Sequence, residues 1–276
     1  MHPALLWCAL AFYGLGILLT LPSVIGGRPR LSSATLAALS LGLLLHATAL
    51  ITAAIQLDRL PVTDVQSALS FFAFNVTLTF FLAYLRYRAT SLGVFMLPFV
   101  FVLTLMAAAH PDHLSSTSPF RGGWLAVHAL SMILGYTGIF LTFVAALMYL
   151  IQESELKSKS PRGFYNRLPS LDLCVTLYDR SLKFGLLFLS IGILTGFLWA
   201  SQAWRGPWEL DPKILASFLT WLIYLTLLST RVSGNWRGRR SAYGAIFGFA
   251  ATMVTFLGVS FLSGQHGYFP NLTHIP

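Results

Sequence analysis

Eight apolar stretches, at roughly 4–22, 33–57, 66–85, 91–109, 123–151, 182–201, 214–230 and 240–262, constrain this chain more than any single motif. Each is near the length needed to cross hydrocarbon, about 20 residues per helix. A backbone inside a bilayer must satisfy its polar groups internally. Such stretches therefore predict an all-α, polytopic membrane helix bundle of about eight transmembrane helices. The 276 residues are 56% hydrophobic and only 10% charged, which leaves no room for a soluble domain, so residues 1–276 read as a single membrane domain. The first stretch has no basic residue before it and no small-residue cleavage site after it. It reads as a retained helix, not a signal peptide. Cys8 falls in a membrane-embedded segment and Cys174 in a loop; they form no CxxC, which argues against thiol redox chemistry.

The formal net charge of +9 would suggest nucleic acid in a soluble chain, but its distribution points elsewhere. Fourteen of the eighteen Lys and Arg residues fall in one alternate set of loops, which includes Arg28, Arg86, Lys157, Arg180 and Arg237. The other set holds only Arg59, Arg121, Arg205 and Lys213. By the positive-inside rule the fourteen face the cytoplasm, which places both termini outside. The charge reads as a topology signal, and nucleic acid is not an expected partner. Membrane lipid is.

Two connections are long. Residues 152–181 begin with mixed charge and turn apolar-polar after Pro169. That pattern fits either a short interfacial helix with Leu168, Leu171, Leu173, Val175 and Leu177 partly embedded, or an ordinary connector. The other is a tryptophan-rich outer loop, residues 199–213, WASQAWRGPWELDPK. Aromatic residues anchor membrane interfaces in general, so one tryptophan there means little. Three tryptophans with Asp211, Pro212 and Lys213 are a denser signal. Asp211 followed by Pro212 is also a helix-start pattern, with the carboxylate at the cap and proline in the first turn.

The histidines sort by depth. Six of the seven, His2, His110, His113, His128, His266 and His274, fall on or near the outer face. His46 lies mid-span in LGLLLHATALI, about 12 residues or ~18 Å of helix from either end. At that depth an imidazole needs a protein partner, a ligand or a metal. Gly42, Ala49 and Ala53 share its helix face and leave relief in which a flat cofactor fits; the alternative is a histidine hydrogen-bonded to a neighbouring helix. His128, in RGGWLAVHALSMILGY, and His266, in GVSFLSGQHGYF, share the level of the tryptophan loop. Two imidazoles beside an aromatic wall suit haem, whose iron takes two axial nitrogens and whose broad apolar face is covered by indole rings. Zinc would prefer three or four clustered ligands, and the HxxH of His110 and His113 around Asp112 is a weak candidate for it.

These residues resemble the haem-handling membrane proteins of cytochrome c maturation, the CcsA/CcmC group, whose signature is a tryptophan-rich outer loop called the WWD domain. The resemblance runs through Trp199, Trp204, Trp208 and Asp211-Pro212-Lys213, then TWLIYLTLLSTR, NWRGRRSAYGAIFGF and GVSFLSGQHGY, over about 75 residues. RGGWLAVHALSMILGY is similar to the flanking helix that presents an outer histidine. The chain looks most like the short members called HemX or YpjD.

The resemblance implies non-covalent, b-type haem at the outer face, with His128 and His266 as axial ligands and Trp199, Trp204, Trp208 and Asp211 around the macrocycle. His46 corresponds to one of a second, intramembrane histidine pair. The position of its companion, just before Thr-Arg in the seventh span, holds Ser229. Arg205, Leu210 and Ile214 also depart from the family loop. The implied function is haem delivery to apocytochrome c within a synthase complex completed by a CcsB/ResB-like membrane protein, in the inner (cytoplasmic) membrane or a thylakoid-type one. No catalytic residue is expected, since thioether formation belongs to the haem and the peptide thiols. The alternative is a HemX/YpjD-like subunit or regulator without haem transfer. A transporter of another solute is disfavoured, because the spans lack paired Gly/Pro-broken helices at the midplane.

Overall fold

The structure is a computed structural model and describes residues 3–26, 30–58, 60–62, 65–109, 123–158, 168–203 and 211–255. Among these it contains eight helices and no strand: α1 (Pro3–Ile25), α2 (Ser33–Leu57), α3 (Val65–Tyr87), α4 (Leu92–Ala109), α5 (Gly123–Lys157), α6 (Leu171–Ala203), α7 (Pro212–Val232) and α8 (Arg239–Met253). The first seven are long and apolar enough to span a bilayer. The eighth apolar stretch continues past the described residues. The protein is a multi-pass, all-helical membrane protein.

Contacts divide the chain into two units, one of residues 1–121 and 151–173, the other of residues 122–150 and 174–276. In the first unit α1 packs on α2 and α4, and α3 on α2 and α4. Ser32 caps α2 by accepting the Thr35 amide at 3.1 Å, and Asp58 ends it in a left-handed conformation, φ 49°. Tyr84, almost wholly buried, accepts the backbone N–H of Leu31 at 3.0 Å and so ties the entry of α2 to α3.

The second unit is organised by an antiparallel seam of small residues between α5 and α6. Gly138 faces Gly185 so closely that a Cβ on it would lie 2.7 Å from the Gly185 Cα. A Cβ on Gly135 would lie 2.9 Å from the Leu189 amide nitrogen, and one on Gly192 2.6 Å from the Met132 sulfur. Thr142 and Ser181 close the seam with a 2.8 Å hydroxyl pair. Within a bilayer, association between helices comes from close packing and interhelical hydrogen bonds, and glycines permit both. On the other side of α6, the Trp221 indole N–H of α7 donates to the Ser190 hydroxyl at 2.8 Å. Tyr224 lies over Gly248 of α8, and Thr252 donates to its hydroxyl at 3.3 Å.

Residues 171–181 form neither the separate interfacial helix nor the connector that the sequence allowed. They are the first three turns of α6, a continuous helix of 33 residues, and Cys174 lies buried in it instead of in a loop. No proline or glycine interrupts LDLCVTLYDRSLK, so nothing stops the hydrogen-bond ladder there. At the preceding end α5 runs on to Lys157, helped by a Glu153–Lys157 pair one turn apart. Each of these helices is roughly 50 Å long, well beyond a ~30 Å hydrocarbon core.

Candidate functional site

The start of α5, the end of α6 and the start of α7 lie at the same end of the second unit. The alternation of helix directions requires this, and the seam register fixes the levels. Met132 lies opposite Gly192 and Gly135 opposite Leu189, so each residue on α5 meets one on α6 whose number falls as its own rises. Extending that register brings the turn around Trp124 level with Trp199 and Ala200. Trp199 also follows Gly196 by three residues and Gly192 by seven, which puts it on the α6 face that meets α5.

His128 sits in this seam. Its Nδ1 lies 2.7 Å from the Gly192 carbonyl oxygen. A carbonyl only accepts, so Nδ1 carries the proton and donates it; whenever the ring is neutral, its lone pair is then on Nε2. The ring rests over Gly196, where a Cβ would come within 2.5 Å of Nδ1 and 2.7 Å of Cε1. Any side chain at 196 would displace the imidazole. This is the arrangement of metal-ligating histidines, which donate their second nitrogen to a carbonyl or carboxylate and thereby fix both tautomer and ring orientation.

Two tryptophans stand at this end among the described residues. Trp199 is half-buried on the last turns of α6, so it belongs to a helix and not to a loop. Trp124 is 45% exposed one turn before His128. Deeper, Phe218 stacks on Trp221 with ring centroids 5.6 Å apart and planes 22° apart. Asp211 stands immediately before α7 with its carbonyl accepting the Leu215 amide at 3.1 Å and Pro212 at the first helical position. Asp211 is buried, 7% exposed. Trp204, Trp208 and His266 lie outside the described residues, as do His110 and His113.

His46 is in the first unit and is fully buried. Its Nδ1 is 3.2 Å from the Tyr13 hydroxyl of α1 and its Nε2 is 2.9 Å from the Ser70 hydroxyl of α3. Phe74 presents an edge to the ring at 5.8 Å. Hydroxyls both donate and accept, so either neutral tautomer is satisfied. The relief at Gly42 is filled by the Tyr13 ring, which a Cβ there would meet at 2.9 Å. Ser229 is exposed in the second unit and donates to the Thr226 carbonyl of its own turn at 2.9 Å.

Gly192 and Gly196 are the residues that sequence reasoning missed. Their signal is the GILTG spacing in α6, the small-xxx-small pattern of close helix pairs.

A family model described as "Cytochrome C assembly protein" matches residues 34–266, most of the chain. The chain belongs to the cytochrome c assembly protein family. It is similar to proteins named "Cytochrome c biogenesis protein CcsA". That of Guillardia theta is 29% identical over 234 residues, 75% of this chain and 76% of the relative. That of Prochlorococcus marinus (strain MIT 9301) is 30% identical over 233 residues, 75% of each chain. That of Chlorella vulgaris is 28% identical over 245 residues, 75% of this chain and 77% of the relative.

Proposed function

We propose that this protein acts in cytochrome c biogenesis by holding haem at the end of the second unit where α5 begins and α6 ends, the outer face of the membrane. The observation that carries the reading is the His128–Gly192 hydrogen bond, which commits Nδ1 to a carbonyl and assigns the ligating lone pair to Nε2. Membership of the cytochrome c assembly family supports it, as does the placement of Trp199 and Asp211 at the same end. In this reading His128 and His266 would hold the haem iron. Trp199, Trp204 and Trp208 cover the macrocycle, and Asp211 sets the direction in which the loop enters α7. Bound haem supplies an iron centre and two vinyl groups for attachment to apocytochrome c. The protein's own residues hold the porphyrin, orient it and limit water at its face. Apocytochrome c and a CcsB/ResB-like membrane protein are the proposed partners, and a cytoplasmic or thylakoid-type membrane the proposed site.

Haem is non-covalent and b-type in this proposal, so it is extractable by acidified solvent. The test is the optical spectrum of the purified full chain. A Soret band that shifts or disappears in both His128→Ala and His266→Ala is expected. Absence of the band in the wild type, or its persistence unchanged in the double variant, overturns the assignment.

A second reading rests on Ser229 and His46. Ser229 is exposed and bonded within its own turn, and His46 spends both nitrogens on Tyr13 and Ser70. An intramembrane haem pair would need one of those bonds exchanged and a second nitrogen from elsewhere. This favours a chain that binds haem outside without drawing it through the bundle, as a HemX/YpjD-like subunit would. Normal levels of c-type cytochromes after deletion of the gene would select this reading, and their loss would reject it.

A further inference from the structure

The α7–α8 hairpin carries a groove unrelated to the histidines. It has a volume of about 640 Å³, and its lining includes Leu222, Leu227, Trp236, Arg240, Gly244 and Phe247. Gly244 forms the floor, because a Cβ there would meet the Leu227 side chain at 2.8 Å and the Trp236 ring at 3.2 Å. We propose that this groove binds one anionic phospholipid of the inner leaflet, with an acyl chain between α7 and α8 and the phosphate at Arg240.

Three observations select that occupant. The first is depth. Along α7 the lining runs from Leu227 back to Leu219, about 12 Å of helix, and along α8 from Arg240 to Phe247, about 10 Å, so the groove opens near the basic turn and is much shorter than a ~30 Å core. A crossing solute or a spanning partner helix would need a longer track. The second is wall chemistry. Apart from Arg240 at the turn, the lining is aliphatic and aromatic with few polar groups, and Trp236 and Tyr243, beside Arg240 in that lining, are the residue types that favour the headgroup level. The third is uncompensated charge. No acidic residue follows Asp211 in the sequence, while Arg231, Arg237, Arg239 and Arg240 cluster at this turn. Arg231 is neutralised by Asp179 at 2.7 Å, and Arg239 leans on Tyr243. Arg240 is exposed and has no carboxylate within ion-pair distance among the described residues. A basic residue at a membrane surface attracts anionic headgroups, and a groove of a few hundred Å³ beside it adds apolar contact.

The probe is phosphatidylglycerol against phosphatidylcholine of identical acyl chains, added to the purified full chain in detergent and read by native mass spectrometry. One retained phosphatidylglycerol per chain is expected, preferred over phosphatidylcholine by about fivefold, the ratio that one surface arginine contributes. Arg240→Gln should abolish the preference while Arg86→Gln, at another basic turn, keeps it. Gly244→Leu should remove the retained lipid of either kind; if that variant does not fold, Leu222→Trp blocks the same groove from its wall. Equal retention of both lipids by the wild type, full preference in Arg240→Gln, or retention by the blocked variant overturns the proposal. So does a protein dimer that forms in place of the lipid adduct and is lost in Leu222→Trp.

Discussion

His128 lies directly over Gly196, and the space that a Cβ would take at 196 is occupied by the imidazole ring. Gly196→Ala should therefore push the ring off the Gly192 carbonyl. The expected cost is about 1–3 kcal/mol of stability, typical of overpacking, together with a changed Soret maximum where haem is bound. Thermal unfolding in detergent and the optical spectrum of one preparation check both. An unaltered spectrum with lowered stability would mean that the seat matters only for packing.

His46 bridges three helices through two hydroxyls. His46→Ala takes the ring partner from both hydroxyls; Tyr13 keeps the Thr77 side chain beside it, and the buried Ser70 hydroxyl is left unsatisfied, a loss of roughly 1–3 kcal/mol before relaxation. His46→Ala with Tyr13→Phe and Ser70→Ala together should recover part of that loss, since the orphaned hydroxyl is gone. Denaturant titration of the three single variants and the triple variant measures this. With haem held at the outer end of α5 and α6, the optical spectrum should stay that of the wild type throughout.

Arg231 joins α7 to α6 through two contacts with Asp179, at 2.7 and 3.2 Å, and lies 5.4 Å from the Tyr178 ring centroid. The pair is partly exposed, so its coupling should be modest, about 1 kcal/mol by double-mutant cycle. A cycle of Asp179→Asn and Arg231→Gln measures it. A value near zero would show that Arg231 serves chiefly as a topology charge.

Gly138 and Gly185 meet backbone to backbone, unlike Gly14, where an added Cβ would lie 3.2 Å from the edge of the Phe101 ring. Gly138→Ala should therefore destabilise by more than Gly14→Ala, because a peptide cannot rotate aside as a phenyl ring can. Melting temperatures of the two variants, measured side by side, test the ranking.

Helix positions are readable from apolar stretches because a bilayer imposes a single requirement on length and polarity. The extents of α5 and α6 are not, since Glu153, Lys157, Asp172, Asp179 and Arg180 read as a polar connection although each is compatible with a helix. Counting residues places His46 at depth, but its partners stay hidden: Tyr13 and Ser70 lie 33 positions before it and 24 after it, and neither residue type marks a histidine site. His128 stands out by its aromatic neighbourhood. Its support from Gly192 does not, because a peptide oxygen leaves no trace in side-chain identity.

Every amino acid brings the same oxygen to position 192, so substitution there cannot delete the acceptor, only obstruct access to it by bulk. Selection on the direction of the imidazole must then operate through residue size along α6, and drift among side chains elsewhere can proceed without turning the ring.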